Sequence, residues 1–217
     1  MEVYPVAFRE IMVSYTAVDD RVHAAVLHEL LLRQTPTVEQ LARVTGLPAI
    51  AVDDAMGRLR ERGAVVGDPT GGVVAAYPLS GVPTSHVVAL DVAVAWANCA
   101  VDALAVPAMV GRPGTISSQC TLCSGSITID VEGTVVRSRE PAGVVVAYGG
   151  LTDCRDRPAL VRSCPFVNFF CGEAHAAQWQ PPTTWSGRFL SLDQAARLAV
   201  SNFHHVIEVY QRFRPEQ

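Results

Sequence analysis

Within the apolar run Trp96-Ala97-Asn98-Cys99-Ala100-Val101-Asp102-Ala103-Leu104, two residues could do chemistry. Cys99 and Asp102 stand three apart, and the run reads as helix, so their side chains would share one face. A carboxyl in such surroundings is costly to bury without a partner or a task. A thiol is less demanding, since free cysteine is among the most buried residue types, and a plain core cysteine is the competing reading of Cys99. Cys164 is the second reactive candidate. It lies between Arg162 and the aromatic residues Phe166, Phe169 and Phe170. A nearby guanidinium favours thiolate over thiol, and the thiolate is the form that attacks and that ligates soft metals. Here too a buried core cysteine is the alternative.

Cys120-Thr121-Leu122-Cys123 has the spacing of half a zinc knuckle. A structural zinc site wants four ligands, usually as two such pairs. No second C-x-x-C follows, so Cys154, Cys164, Cys171 or His175 would have to complete the set through folding. A thioredoxin-like use needs a βαβ setting that is absent. The plainer expectation is a hairpin turn that carries two thiols, with a zinc-stabilised protein as the other option. His204 and His205 are consecutive on an expected helix, cannot share a face, and read as surface or edge residues.

The 217 residues hold one large or two small domains. With 49% hydrophobic and 18% charged residues, the chain can bury a sizeable core. A formal net charge of −4 gives no general attraction to nucleic acid or to an anionic membrane. The most apolar stretch, 86–111, contains Asp91, Asn98 and Asp102, which argues against a membrane span. The start Met1-Glu2-Val3-Tyr4-Pro5 lacks a basic region followed by an apolar run, so a cytoplasmic location is expected. Six cysteines without a secretory signal point to metal chemistry or catalysis rather than to a disulfide framework.

The elements that must hold these groups read as follows. Helices are expected over 7–32, from Thr37 to about Val44 with Gln40 completing a capping box, and over 49–62 between Pro48 and Gly63. Val65-Val66, a Gly71-Gly72 turn and 73–77 read as a hairpin. Three helices and a hairpin form the winged-helix pattern, whose usual use is DNA binding. The charge argues otherwise. Residues 36–80 hold four arginines (Arg43, Arg58, Arg60, Arg62) against five acids (Glu39, Asp53, Asp54, Glu61, Asp68), and a DNA reader needs a basic footprint. After Gly81-Val82-Pro83, strands are expected over 86–90, 114–119, 126–131, 135–139 and 143–148. The Cys99 helix should end or kink near Pro107. A short helix over 173–179 and a long one from Ser191 to about Phe213 complete the chain.

Asn98-Cys99-Ala100-Val101-Asp102-Ala103-Leu104 with Pro107-Ala108-Met109-Val110-Gly111-Arg112 resembles the helix of the organomercurial lyases, also called alkylmercury lyases. Ile116-Ser117-Ser118-Gln119-Cys120 resembles the following strand, and Glu140-Pro141-Ala142-Gly143 the approach to the next. Ser163-Cys164-Pro165-Phe166-Val167-Asn168-Phe169-Phe170 resembles the second cysteine segment of the family. The likeness runs from about Ala89 to the C-terminus.

The resemblance implies that Cys99, Asp102 and Cys164 are the catalytic triad. It implies protonolysis of a carbon–mercury bond to a hydrocarbon and Hg(II), in mercury detoxification. Cys99, Cys164 and Asp102 would bind mercury, with Asp102 also acting as proton shuttle. It also implies no resident cofactor, external thiols as co-reactants, and hand-off of Hg(II) to small thiols or a mercuric reductase. Pro165 stands where some relatives carry a second cysteine, and Asn168 where the family carries a histidine. Cys123 and Cys171 are additional thiols, and Cys120 matches a cysteine usually read as structural. The alternative is a non-enzymatic thiol metal-binding protein or a winged-helix metal sensor. The expected fold is α+β: a winged-helix-like three-helix domain, 1–80, packed on a domain of antiparallel sheet plus helices, 81–217, that carries catalysis.

Overall fold

Residues 15–153, 159–213 and 215 are described by the structure, a computed structural model. The first expected helix is realised as α1, Ala17–Leu31. Its expected portion 7–14 lies outside the described residues, as does Cys154. Thr16 starts α1 by accepting from the Asp19 amide, and Asp19 returns the bond to the Thr16 amide, so both orphan donors are satisfied. Thr37 and Gln40 make the same reciprocal cap on α2, Val38–Thr45, which stops at left-handed Gly46. The third helix, α3, is Ala49–Glu61. Val22, Val26, Leu41, Val52 and Leu59 from these helices are buried together.

The hairpin forms from β1, Val65–Gly67, and β2, Val73–Ala76. It continues into the main sheet instead of standing free. Ala76 pairs with Leu79 of β3, Leu79–Ser80, and Leu79 pairs with Ala97 of β5, Val94–Ala97. With β4 (His86–Leu90), β6 (Gly114–Gln119), β7 (Ser126–Glu132) and β8 (Val135–Glu140), these strands make one eight-stranded sheet. Its order is β1-β2-β3-β5-β4-β6-β7-β8, with every neighbouring pair antiparallel. A second sheet, ordered β10-β9-β11, holds β9 (Val145–Leu151), β10 (Phe169–Phe170) and β11 (Trp185–Ser191).

Between the eight-stranded sheet and the C-terminal helices lies α4, Ala100–Val110. It is apolar all round, and Ala100 through Met109 are all buried, as such a helix must be. Here the structure corrects the sequence reading: Trp96 and Ala97 belong to strand β5, and the helix begins after Cys99. Burial alternates along β5, a period-two signal that the alanines hide in the sequence. Pro107 does not end α4, which runs to left-handed Gly111. The long C-terminal helix divides at the buried Phe203 into α7, Leu192–Asn202, and α8, His204–Arg212. Two short helices, α5 (Ala159–Arg162) and α6 (Glu173–Gln178), flank the Cys164 segment. Among the described residues no helix is long and apolar enough to cross a membrane.

Candidate active site

Cys99 is the N-cap of α4, in extended backbone, and its Sγ accepts the Asp102 amide at 3.4 Å. The pair keeps its three-residue relation, as cap and third helical residue rather than as two residues of one turn. A thiol is a weak acceptor in a position that Ser, Thr, Asp or Asn usually fills. Cys164 opens a 3-10 turn, Cys164–Phe166, next to α5. Its Sγ lies 4.0 Å from Asp102 Oδ2 and 3.9 Å from the Tyr77 hydroxyl. The ligand atoms of Cys99, Asp102 and Cys164 all lie within 4.8 Å of one another. All three residues are buried, at 4%, 3% and 6% exposure.

Several contacts bring Cys164 to Cys99. The Ala100 amide, one of the unpaired donors of the α4 N-terminus, donates to Val167 O at 2.9 Å. The Ala147 amide of β9 donates to Asn168 O at 2.9 Å. Asn168 Nδ2 donates to Pro165 O at 2.7 Å, bracing the turn from within. Its Oδ1 faces His86 Nε2 at 3.2 Å, and His86 Nδ1 faces Ser118 Oγ at 2.9 Å. Asn168 thus closes a polar chain from β6 through β4 to the Cys164 turn. Gly150 of β9 allows residues 162 and 163 to lie close, because a Cβ there would meet Ser163 Oγ at 2.7 Å and Arg162 O at 3.0 Å.

Burial sets the protonation states. It pushes the Asp102 carboxyl up to about 7, against the opposing hydrogen bonds of Cys99 and Asn98. Burial, the Cys164 hydrogen bond and the Asp102 charge raise the Cys99 thiol well above its usual value. Tyr77 is pushed up by burial and by Cys164, Asp102 and Cys99, so its phenol stays protonated. Burial pulls His86 down to about 4, leaving it neutral. The buried centre therefore keeps the Cys99 thiol and the Tyr77 phenol protonated, beside one carboxyl that can exchange a proton near neutral pH.

The sequence reading identified the two thiols and the carboxyl. It did not find Tyr77, which sits before a proline after a short hairpin and reads as a turn residue. Nor did it find His86, although a polar residue at a buried register position of an otherwise apolar strand was a readable signal. Cys120 and Cys123 lie away from the triad. They meet Cys171 and His175, so the turn that carries two thiols is half of a four-residue cluster. His204 is exposed and His205 is half-buried, with its Nε2 at 2.7 Å from Asp20 Oδ1.

Fold and site together define a mixed helix and antiparallel-sheet protein with a buried dithiol–carboxylate centre. The family model described as alkylmercury lyase matches residues 79–204. An alkylmercury lyase of Staphylococcus epidermidis is 37% identical over 149 residues, which are 65% of this chain and 63% of that protein. One from Bacillus cereus is 32% identical over 168 residues, covering 76% of this chain and 72% of the relative. Among solved structures, the mercury-bound form of MerB2 shares the fold with a TM-score of 0.76 at 19% identity, covering 94% of this chain and 96% of that one. The chain belongs to the alkylmercury lyase family, a family of enzymes.

Proposed function

We propose that this chain cleaves the carbon–mercury bond of organomercurials by protonolysis, giving a hydrocarbon and Hg(II), with Cys99, Cys164 and Asp102 as the reacting groups. The observation that carries the reading is the convergence of two thiols and a carboxyl within 4.8 Å in a buried site. Family membership supports the same chemistry.

The reaction balances without an additional reagent. A substrate R–Hg–SR′ meets the thiols of Cys99 and Cys164. One cysteine sulfur bonds to mercury and displaces R′S⁻, which leaves as R′SH with that cysteine's proton. The second sulfur then bonds to mercury while its proton passes to the Asp102 carboxylate. Mercury held by two sulfurs carries more electron density, and its bond to carbon weakens. Asp102 delivers the proton to carbon, R–H leaves, and Hg(II) remains bridged between Cys99 and Cys164. A carboxyl held up to about 7 can accept and donate that proton near neutral pH. The protonated Tyr77 hydroxyl beside Cys164 offers a hydrogen bond to the sulfur as it becomes a thiolate.

The reaction needs no resident cofactor. External thiols deliver the organomercurial and remove Hg(II), either as small thiol complexes or by transfer to a mercuric reductase, in a cytoplasmic setting. Residues 81–217 carry the three reacting groups, and Tyr77 adds its hydroxyl from the part of the chain that precedes them. The described N-terminal residues, 15–80, act as a winged-helix-like scaffold, with Asp53 and Asp54 early in α3 opposing a phosphate backbone. Incubating the full chain with an arylmercury compound and excess thiol tests the reading. Catalytic release of the arene supports it, whereas stoichiometric mercury binding with the arene retained overturns it in favour of a binding protein.

A further inference from the structure

A second thiol cluster lies outside the triad, on the far side of the β10 strand from the Cys164 turn in chain order. Cys120 and Cys123 sit in the β6–β7 turn, Cys171 directly follows β10, and His175 is on α6. One ligand atom from each falls within 4.8 Å of all the others. Cys120 Sγ is 3.4 Å from His175 Nδ1, and the sulfurs of Cys123 and Cys171 are 3.8 Å apart. A tetrahedral zinc ion about 2.3 Å from each sulfur and 2.0–2.1 Å from nitrogen sets its sulfurs roughly 3.8 Å apart and sulfur from nitrogen roughly 3.5 Å. These two edges match a Cys₃His tetrahedron, and the other four are no longer than 4.8 Å.

The backbone around it is built for thiolates. The Cys171 amide donates to Cys120 Sγ at 3.4 Å, and the Gly125 amide to Cys123 Sγ at 3.4 Å. The turn closes through Cys120 N to Gly125 O and Ser124 N to Cys120 O, both 2.8 Å, with Ser124 in the left-handed region. Gly125 packs against the sulfurs: a Cβ there would stand 3.2 Å from Cys123 Sγ and 3.5 Å from Cys171 Sγ. Amide N–H groups aimed at sulfur stabilise the charged thiolate that a metal requires.

We propose that Cys120, Cys123, Cys171 and His175 bind one structural zinc ion, separate from the mercury-handling triad. Four protein ligands leave no open position, which is the hallmark of a structural rather than a catalytic zinc. The ion joins the β6–β7 turn to the segment after β10, alongside the Thr121 amide that donates to Phe169 O at 3.1 Å. It thereby anchors the C-terminal end of the stretch that carries Cys164. Binding replaces the three thiol protons, which are released to solvent.

The test is metal analysis of the full chain purified under reducing conditions from zinc-supplemented medium. The expected result is about one zinc per chain. Cys99→Ser combined with Cys164→Ser should retain it, and Cys123→Ser or His175→Ala should lose most of it. Cobalt exchange into the wild-type chain should give thiolate-to-cobalt charge-transfer bands with tetrahedral d–d bands, a readout that does not depend on whether a ligand variant folds. A zinc-free protein, a zinc content that follows Cys99 and Cys164, or a Cys123–Cys171 disulfide in the freshly isolated chain overturns the proposal. Arene release by the wild-type chain is read separately from zinc content, so failure of the zinc site and failure of the lyase reading are distinguishable.

Discussion

The amide of Ala100, next to Cys99, is hydrogen-bonded at 2.9 Å to the carbonyl of Val167, three residues after Cys164. One backbone bond thus docks the two sulfur-bearing segments on each other and satisfies a helix N-terminus that would otherwise lack an acceptor. The meeting of the thiols depends on main-chain geometry and on the turn that presents Cys164.

That turn is braced by Asn168, which holds Pro165 O with its amide and His86 with its carbonyl oxygen. Asn168→Ala removes both bonds and leaves a buried imidazole short of a partner. It should lower stability by about 1–3 kcal/mol. It should also lower kcat by roughly 10- to 100-fold, because small displacements of reacting groups are expensive in rate. Denaturant unfolding and steady-state turnover measure the two effects separately.

Gly150 permits the close approach of residues 162 and 163 to β9. Gly150→Ala places a methyl against Ser163 Oγ and Arg162 O, so the Cys164 segment must move outward. Overpacking of this kind costs about 1–3 kcal/mol. The expected signature is reduced turnover together with weaker two-sulfur binding of Hg(II), read by isothermal titration in the presence of a competing thiol.

Tyr77→Phe deletes one hydroxyl next to Cys164 and keeps the buried ring. A single hydrogen bond of this kind is worth about 0.5–1.5 kcal/mol, so turnover should fall roughly 2- to 10-fold while the melting temperature changes little. Turnover equal to wild type would remove Tyr77 from the mechanism.

Asp102 supplies a pH signature. Its folded value of about 7 lies above the ordinary 3.8, so the native state holds an additional proton between those limits. Stability from this group is fully present below about pH 4 and is lost as pH rises through about 7. Asp102→Asn removes that dependence. The stability of wild type relative to the variant should therefore fall by about 2–3 kcal/mol from pH 5 to pH 8 in urea titrations. His86 acts in the opposite sense, since its depressed value makes stability fall as pH drops through about 4. Comparing the two chains, which share His86, cancels its contribution.

Much of this architecture was legible in the residues. The capping boxes at Thr37 and Ser191, the Gly46 stop and the strands around 114–119 and 126–132 follow from local chemistry. The Cys99–Asp102 spacing and the Cys164 segment named three groups that the structure brings within 4.8 Å of one another. The start of the Cys99 helix was misread because alanines at 95 and 97 blur the strand alternation of β5. Strands β10 and β11 were not foreseen, because Phe169–Phe170 is too short to show a period and the register of β11 is set by pairing with β9. Tyr77 and the Cys120, Cys123, Cys171, His175 cluster are products of tertiary folding. The Cys120–Cys123 spacing showed half of that cluster, but which residues complete it depends on packing between separate elements.

The most direct test of the central claim is arene release from an arylmercury compound, under excess thiol, by wild type, Cys99→Ser and Cys164→Ser chains that share the same circular dichroism. The wild type should turn over repeatedly and each serine variant should lose at least roughly a thousandfold, since either change leaves mercury held by one sulfur. Full turnover by either variant would contradict that claim.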